Sequence, residues 1–165
     1  SPSGVVGVFK IPSTPDVQEL SSGIVLDGIS DPGNMGTLIR AAVAMNRTSV
    51  VVIGGVDPYN PKVVQASAGY IGCVKIFKLD WKTLLEVKKR QKLRLIALVP
   101  TGGKAPGHTS FKNSLLVVGN EAHGIANQWI AACDERLTLP MPGNTESLNA
   151  AIAGAIALYA AFGSR

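Results

Sequence analysis

The sequence holds little of what builds several common kinds of site. It has two cysteines, Cys73 and Cys133, in no C-x-x-C spacing, and two histidines, His108 and His123. Neither a disulfide framework nor a zinc site is expected from so few ligands, and a reducing compartment, cytoplasm or an organellar matrix, is the simpler setting. Aromatic residues make up 5% of the chain, too few for a single-strand binder built mainly on stacking platforms. Neither G-x-G-x-x-G nor G-x-x-x-x-G-K-[ST] occurs, so no dinucleotide or P-loop nucleotide fingerprint is present. Ser1 to Gly7 lack a basic region followed by an apolar run, so no signal peptide is visible. The longest apolar stretch, Leu148 to Phe162, has 15 residues. That is short of the roughly 20 needed to cross a bilayer, and its Ala and Gly content predicts a closely packed helix.

What is present suits a globular α/β domain. The chain has 165 residues, 46% of them hydrophobic, with 18 Gly, 10 Pro and 16% charged residues. That length is one domain's worth and can bury a full core without staples. Net charge is +5. Eight of the 16 Lys and Arg lie between Lys75 and Arg94: Lys75, Lys78, Lys82, Lys88, Lys89, Arg90, Lys92 and Arg94. Such a patch serves either a polyanionic partner or a solvated helix face.

Runs that are apolar throughout alternate with helical patterns. Gly23–Leu26, Ser49–Ile53, Val74–Phe77, Leu93–Val99, Leu115–Val118 and Leu137–Leu139 read as strands, with Gly4–Phe9 a strand or lead-in. Helices are predicted from about Met35 to Met45, from Pro61 to about Ser67, after an Asp80 N-cap, around Trp129, and from Ser147 to Phe162. The pattern predicts a mainly parallel sheet with helices on both faces. Ligands on such sheets bind beyond the carboxyl ends of strands.

Three stretches carry chemistry. In Asn34-Met35-Gly36-Thr37-Leu38-Ile39-Arg40, Asn34 is a good N-cap and Gly36 permits a close approach. Arg40 stands in an otherwise apolar patch. It faces either a phosphate or reacting ribose, or a structural carboxylate partner. In Gly119-Asn120-Glu121-Ala122-His123-Gly124, the glycines permit a tight turn after a buried strand. Glu121 either accepts hydrogen bonds from a ligand or caps the following helix. His123 stands in this turn, where a lone loop histidine is more often merely exposed. In the stretch from Leu139 to Asn149, two prolines stiffen the backbone, and Thr145 or Ser147 is positioned to cap the last helix, whose N–H groups can bind a carboxylate.

Taken together, the stretches resemble the motifs of the SpoU/TrmH RNA ribose 2′-O-methyltransferases. Asn34-x-Gly36-x-x-x-Arg40-x-Ala42 is similar to the first motif and Gly119-x-Glu121-x-x-Gly124 to the second. Leu139-Pro140-Met141 with Ser147-Leu148-Asn149 is similar to the third. Ser67-Ala68-Gly69 also fits a family segment. The resemblance spans roughly residues 20–163, in order and in register. It implies an α/β fold closed by a C-terminal deep trefoil knot of the SPOUT type, a homodimer, and S-adenosylmethionine as methyl donor. By position, donor contacts would include Val99, Gly119, Leu139, Met141 and Leu148. The catalytic set would be Arg40, Asn34, Glu121, Ser147 and Asn149, acting on ribosomal or transfer RNA. The assignment of Lys82, Lys88, Lys89, Arg90 and Lys92 to RNA backbone comes from charge, not from a motif.

The whole chain, 1–165, is expected to be one catalytic domain, with 1–20 a lead-in. Many relatives carry an additional N-terminal RNA-binding domain, so a minimal member or a piece of a longer chain is expected, and the Ser1-Pro2 start favours a piece or a processed product. Three alternatives stand beside this reading. One is an inactive RNA-binding protein of the same fold. Another is a base-nitrogen RNA methyltransferase of the superfamily, and the last an unrelated doubly wound small-molecule enzyme.

Overall fold

Both faces of the sheet are covered, which is why its strands are apolar at odd and even positions alike. The computed structural model describes Gly4, residues 7–143 and residues 147–163. Strands β1 (Gly23–Asp27), β2 (Ser49–Ile53), β3 (Lys75–Lys78), β4 (Arg94–Leu98), β5 (Ser114–Gly119) and β6 (Glu135–Leu137) form one sheet. The order is β3-β2-β1-β5-β4-β6 and every adjacent pair is parallel. The helices are α1 (Pro32–Ala44), α2 (Pro61–Ala66), α3 (Trp81–Gln91), α4 (Asn127–Ala132) and α5 (Ala150–Phe162). Ile24, Leu26, Val50, Val52, Leu116 and Val118 share one core with residues of α1, α2 and α5. Val25, Val51, Leu95, Leu115 and Val117 share the other with α3 and α4. The chain fills the sheet outward from β1 to β3, then crosses to the other side, so a topological switch point falls between β1 and β5.

Element boundaries depart from the sequence pattern where capping decides them. Helix α1 starts at Pro32, before the expected Met35, and Asn34 is not its cap. Asp31 takes that role, accepting the Asn34 N–H at 2.7 Å, with Pro32 pre-set for the first helical position. Helix α5 starts at Ala150, and Asn149, not Ser147, is its cap. Thr145, the other expected cap, lies outside the described residues. Strand β6 ends at Leu137 because Leu139 and Met141 leave the sheet to line a cavity. Gly7–Phe9 form no strand, and Val8 and Phe9 are 95% and 88% exposed. β2 and β5 already occupy both edges of β1. The remainder of that stretch, Val5 and Val6, lies outside the described residues.

The link between β4 and β5 runs round β6. Leu137 O accepts the Val99 N–H at 2.9 Å on the β4 side. On its opposite edge Arg136 O accepts from Lys104 N, and Thr138 N donates to Lys104 O, both at 2.9 Å. The Thr138 hydroxyl also accepts the Gly103 N–H at 2.9 Å. The loop then returns to β5 past Arg94, whose guanidinium donates to Ser110 O and to Glu135. β6 is therefore gripped on one edge by β4 and on the other by the loop that leaves β4. Whether α5 completes the expected knot depends on a path through 144–146, outside the described residues.

Two small residues let helices approach closely. Gly154 of α5 packs against Leu38 of α1, so α1 and α5 lie together over β5. A Cβ at Gly36 would fall 2.5 Å from Ala66 Cβ and 2.7 Å from Ser67 N, where α2 ends. The close approach at Gly36 thus serves helix packing, and buried Ser67 belongs to the same contact. Overpacking costs about 1–3 kcal/mol, and alanine's better helix propensity returns at most about 1 kcal/mol. Gly36→Ala is expected to lower the unfolding free energy by about 1–2 kcal/mol in urea melts; an unchanged midpoint would contradict this packing account.

Candidate functional site

The loops after β1 and β5 meet at the switch point. After β5 the chain turns sharply: Asn120 N donates to Gly124 O at 3.2 Å and Gly124 N to Asn120 O at 2.9 Å. A Cβ on Gly119 would lie 2.5 Å from Ile125 N, so only glycine fits beneath the turn. Gly124, with φ +63°, closes it. The Asn120 carboxamide oxygen accepts from Ala122 N and His123 N, at 2.9 and 3.1 Å.

This turn forms one wall of a cavity of about 390 Å³. All five residues expected at a donor site line it: Val99, Gly119, Leu139, Met141 and Leu148. Glu121, His123 and Ser147 line it too, so the ends of β4 and β5, the β6–α5 link and the turn converge.

Beside the cavity a polar bridge joins the three motif stretches. The Glu121 carboxylate accepts from Ser30 N at 3.2 Å, Ser30 Oγ at 2.9 Å, Asp31 N at 3.2 Å and Asn34 Nδ2 at 3.0 Å. Asn149 Nδ2 donates to Asn34 Oδ1 at 3.1 Å. The orientation of each amide is forced. Ala151 and Ile152 N–H groups need an oxygen, which Asn149 supplies as cap of α5. Its amino group therefore faces Asn34 Oδ1, and the Asn34 amino group faces Glu121. Glu121 does not cap the helix after it, as one sequence reading allowed; it clamps the start of α1.

Partial burial works against ionising Glu121. The hydrogen bonds from Asn34 and from the backbone N–H groups of Ser30 and Asp31 more than offset this and hold its pKa at about 2.

The structure does not bring every expected residue to the cavity. Arg40 is exposed, on a stripe of α1 with Gly33, Thr37 and Ala44. Its apolar sequence neighbours turn inward, so it needs no carboxylate partner. Arg40, Asn34 and Asn149 are not lining residues; the two asparagines reach the cavity only through Glu121. The basic helix is split. Lys82 is exposed on the first turn of α3, at the carboxyl end of the sheet. Lys89, Arg90 and Lys92 are exposed at the far end of the helix, just before β4 begins. A five-residue strand separates the two ends by roughly 15 Å. Lys88 is engaged by Asp134 at 2.8 Å. The sequence reading missed Asn120 and Ser30. Neither type stands out alone, although Asn120 directly precedes a candidate carboxylate.

The structural role of Glu121 has a pH signature. Its folded-state pKa is depressed from 4.5 to about 2, so the stability it contributes is present above pH 4.5 and lost as pH falls toward 2. Melts of the parent from pH 6 to 2 should show this loss, and Glu121→Gln should flatten that part of the acid limb; parallel profiles would refute the clamp.

Comparison with known proteins follows the same stretches. The family model described as SpoU rRNA Methylase family matches residues 21–159. A 23S rRNA (uridine(2479)-2'-O)-methyltransferase from Streptomyces viridochromogenes is 30% identical over 183 residues, covering 100% of this chain and 62% of that protein. The 23S rRNA (guanosine(2553)-2'-O)-methyltransferase RlmP from Bacillus subtilis is 30% identical over 141 residues, covering 82% of this chain and 56% of that one. The crystal structure of the SpoU methyltransferase AviRb from Streptomyces viridochromogenes in complex with AdoMet superposes with a TM-score of 0.76 at 29% identity, covering 89% of this chain and 61% of that one. The chain spans about three fifths of the length of the curated relatives it matches.

Proposed function

The chain belongs to the SpoU rRNA methylase family, and on that premise we propose that it is an RNA ribose 2′-O-methyltransferase using S-adenosylmethionine on ribosomal or transfer RNA. One observation carries the reading. Asn34, Glu121 and Asn149, drawn from three separated motifs, are joined by direct hydrogen bonds beside a cavity lined by every residue matched to the donor site. The two curated relatives, both named as 23S rRNA 2'-O-methyltransferases, support ribose as the target.

The cavity suits the donor. Its volume, about 390 Å³, falls within the range of small-molecule sites. Val99, Leu139, Met141 and Leu148 offer apolar contact for an adenine, while the 119–124 turn and Ser147 offer polar groups. When bound, the donor supplies a methyl group activated by a positively charged sulfur. The chain's own residues must hold the ribose and help its 2′-hydroxyl lose a proton. That hydroxyl is absent from DNA, so the chemistry selects RNA.

Arg40 has no carboxylate partner among the described residues. Its charge is available to an RNA phosphate and to the ribose oxygen as negative charge develops there. An arginine is a poor base, so electrostatic stabilisation and placement are its roles. Glu121, Asn34 and Asn149 set the direction of α1 and thereby of Arg40, while Ser147 meets the ligand at the cavity wall. Lys82 contacts RNA near the reacting nucleotide, and Lys89, Arg90 and Lys92 serve flanking backbone at the far end of the sheet, whereas Lys88 stays with Asp134.

The family reading includes a trefoil knot and a homodimer. The grip of the β4–β5 loop on β6 supports the knot. An apolar stripe on α5, with Ile152, Ile156 and Tyr159 53%, 46% and 65% exposed, supports a paired surface. These residues stand at i, i+4 and i+7, on one helix face.

Arg40→Ala should cut methyl transfer to RNA by about 10²–10³-fold, the scale of losing a charge-stabilising donor, with donor affinity retained. Labelled donor, total RNA and mapping of 2′-O-methyl sites test this, and undiminished transfer refutes the assignment. The parent should sediment as a dimer and Ile156→Asp as a monomer; a monomeric, active parent contradicts the pairing.

A further inference from the structure

The Asn120 side chain is bonded in two directions. Its oxygen accepts from Ala122 N and His123 N, which shapes the turn that walls the cavity. Its amino group donates to Gly28 O at 2.7 Å, across 92 positions of sequence. Gly28 has φ +71°, and its own N–H donates to Ile53 O at 2.7 Å, at the end of β2. Gly28 is therefore pinned on both sides, to β2 by its N–H and to the β5 turn by its carbonyl. It heads the loop that carries Ser30 and Asp31 into α1. Glu121 grips that loop further on, at Ser30, Asp31 and Asn34.

From this geometry, and resting on the methyltransferase reading above, we propose that Asn120 is a positioning residue coupling the donor cavity to the acceptor side of the site. One arm gives the cavity wall its shape. The other fixes where the β1–α1 loop stands, and so where α1 and Arg40 stand relative to that wall. Only a carboxamide does both. Serine can accept from the turn N–H groups but is too short to reach Gly28 O, and an aspartate presents no donor to that carbonyl. The two arms therefore act on different parameters: the turn on donor binding, the tether on turnover.

Asn120→Ser and Asn120→Ala in the full chain separate them. Asn120→Ser keeps an acceptor for the turn and loses the tether. Its donor Kd should stay within about twofold of the parent while kcat on RNA falls roughly five- to tenfold, the scale of one lost hydrogen bond. Asn120→Ala loses both arms and should weaken donor binding by a similar roughly five- to tenfold as well as lowering kcat. Donor binding is read by calorimetry with S-adenosylmethionine and turnover by labelled methyl transfer. Folding of both variants is checked by their far-UV spectra and by amide exchange outside residues 28–34 and 119–125. Parent-like Kd and kcat in both variants overturn the proposal, as does identical behaviour of the two. A parent that binds no donor overturns the methyltransferase reading instead, which keeps the two failures distinct.

Discussion

A single carboxylate holds the beginning of α1 against the turn that follows β5. Glu121 receives two backbone N–H groups, a hydroxyl and an amide from the stretch between Ser30 and Asn34. The elements it joins are 90 residues apart in sequence and adjacent in space because β1 and β5 are sheet neighbours. A continuous chain of hydrogen bonds runs from this point to α5, from Glu121 to Asn34, from Asn34 to Asn149, and from Asn149 to the first turn of the helix. An ionised group of this kind is strongly held because each lone pair that leaves water meets a donor.

The fold was legible in the sequence wherever apolar continuity decided it. GIVL, SVVVI and LLVV became three neighbouring central strands because nothing polar interrupts them, and Asp80 caps α3 as its spacing indicated. Boundaries set by competition between capping side chains were not legible. Asp31, Asn34, Ser147 and Asn149 are all competent caps, and only the tertiary partners of Asn34 and Asn149 decide which of them cap. The site was legible as three motifs and opaque in its wiring. Spacing brought Glu121 and Asn34 to one place, but the direction of each amide follows from neighbours no sequence distance reveals. Arg40 shows the limit most clearly: flanked by Leu38, Ile39 and Ala42, it reads as embedded, yet helical periodicity carries those three inward and leaves it in solvent.

The charge pattern divides in the same way. Lys88, Lys89 and Arg90 occupy the last turn of α3, where positive charge is favourable against the partial negative end of the helix. Part of the basic cluster therefore has a local reason to exist, independent of any polyanion. The Trp81 ring beneath the other end of that helix donates to Asp27 at 3.0 Å and stacks on Trp129 with centroids 5.0 Å apart. This ties α3 and α4 to the end of β1 on the face away from α1.

The strand β6 pairs with β4 on one edge and with the loop that leaves β4 on the other. Its place is complete only when both edges have paired, with β4 on one side and the Gly103–Lys104 segment on the other. Both pairings are contacts of high sequence separation, which carry a large closure entropy and form late. The outer hydrogen bonds, Lys104 N to Arg136 O and Thr138 N to Lys104 O, act as a latch that must open before the strand can leave. Kinetic persistence of the assembled domain follows from that latch, separately from how much apolar surface it buries.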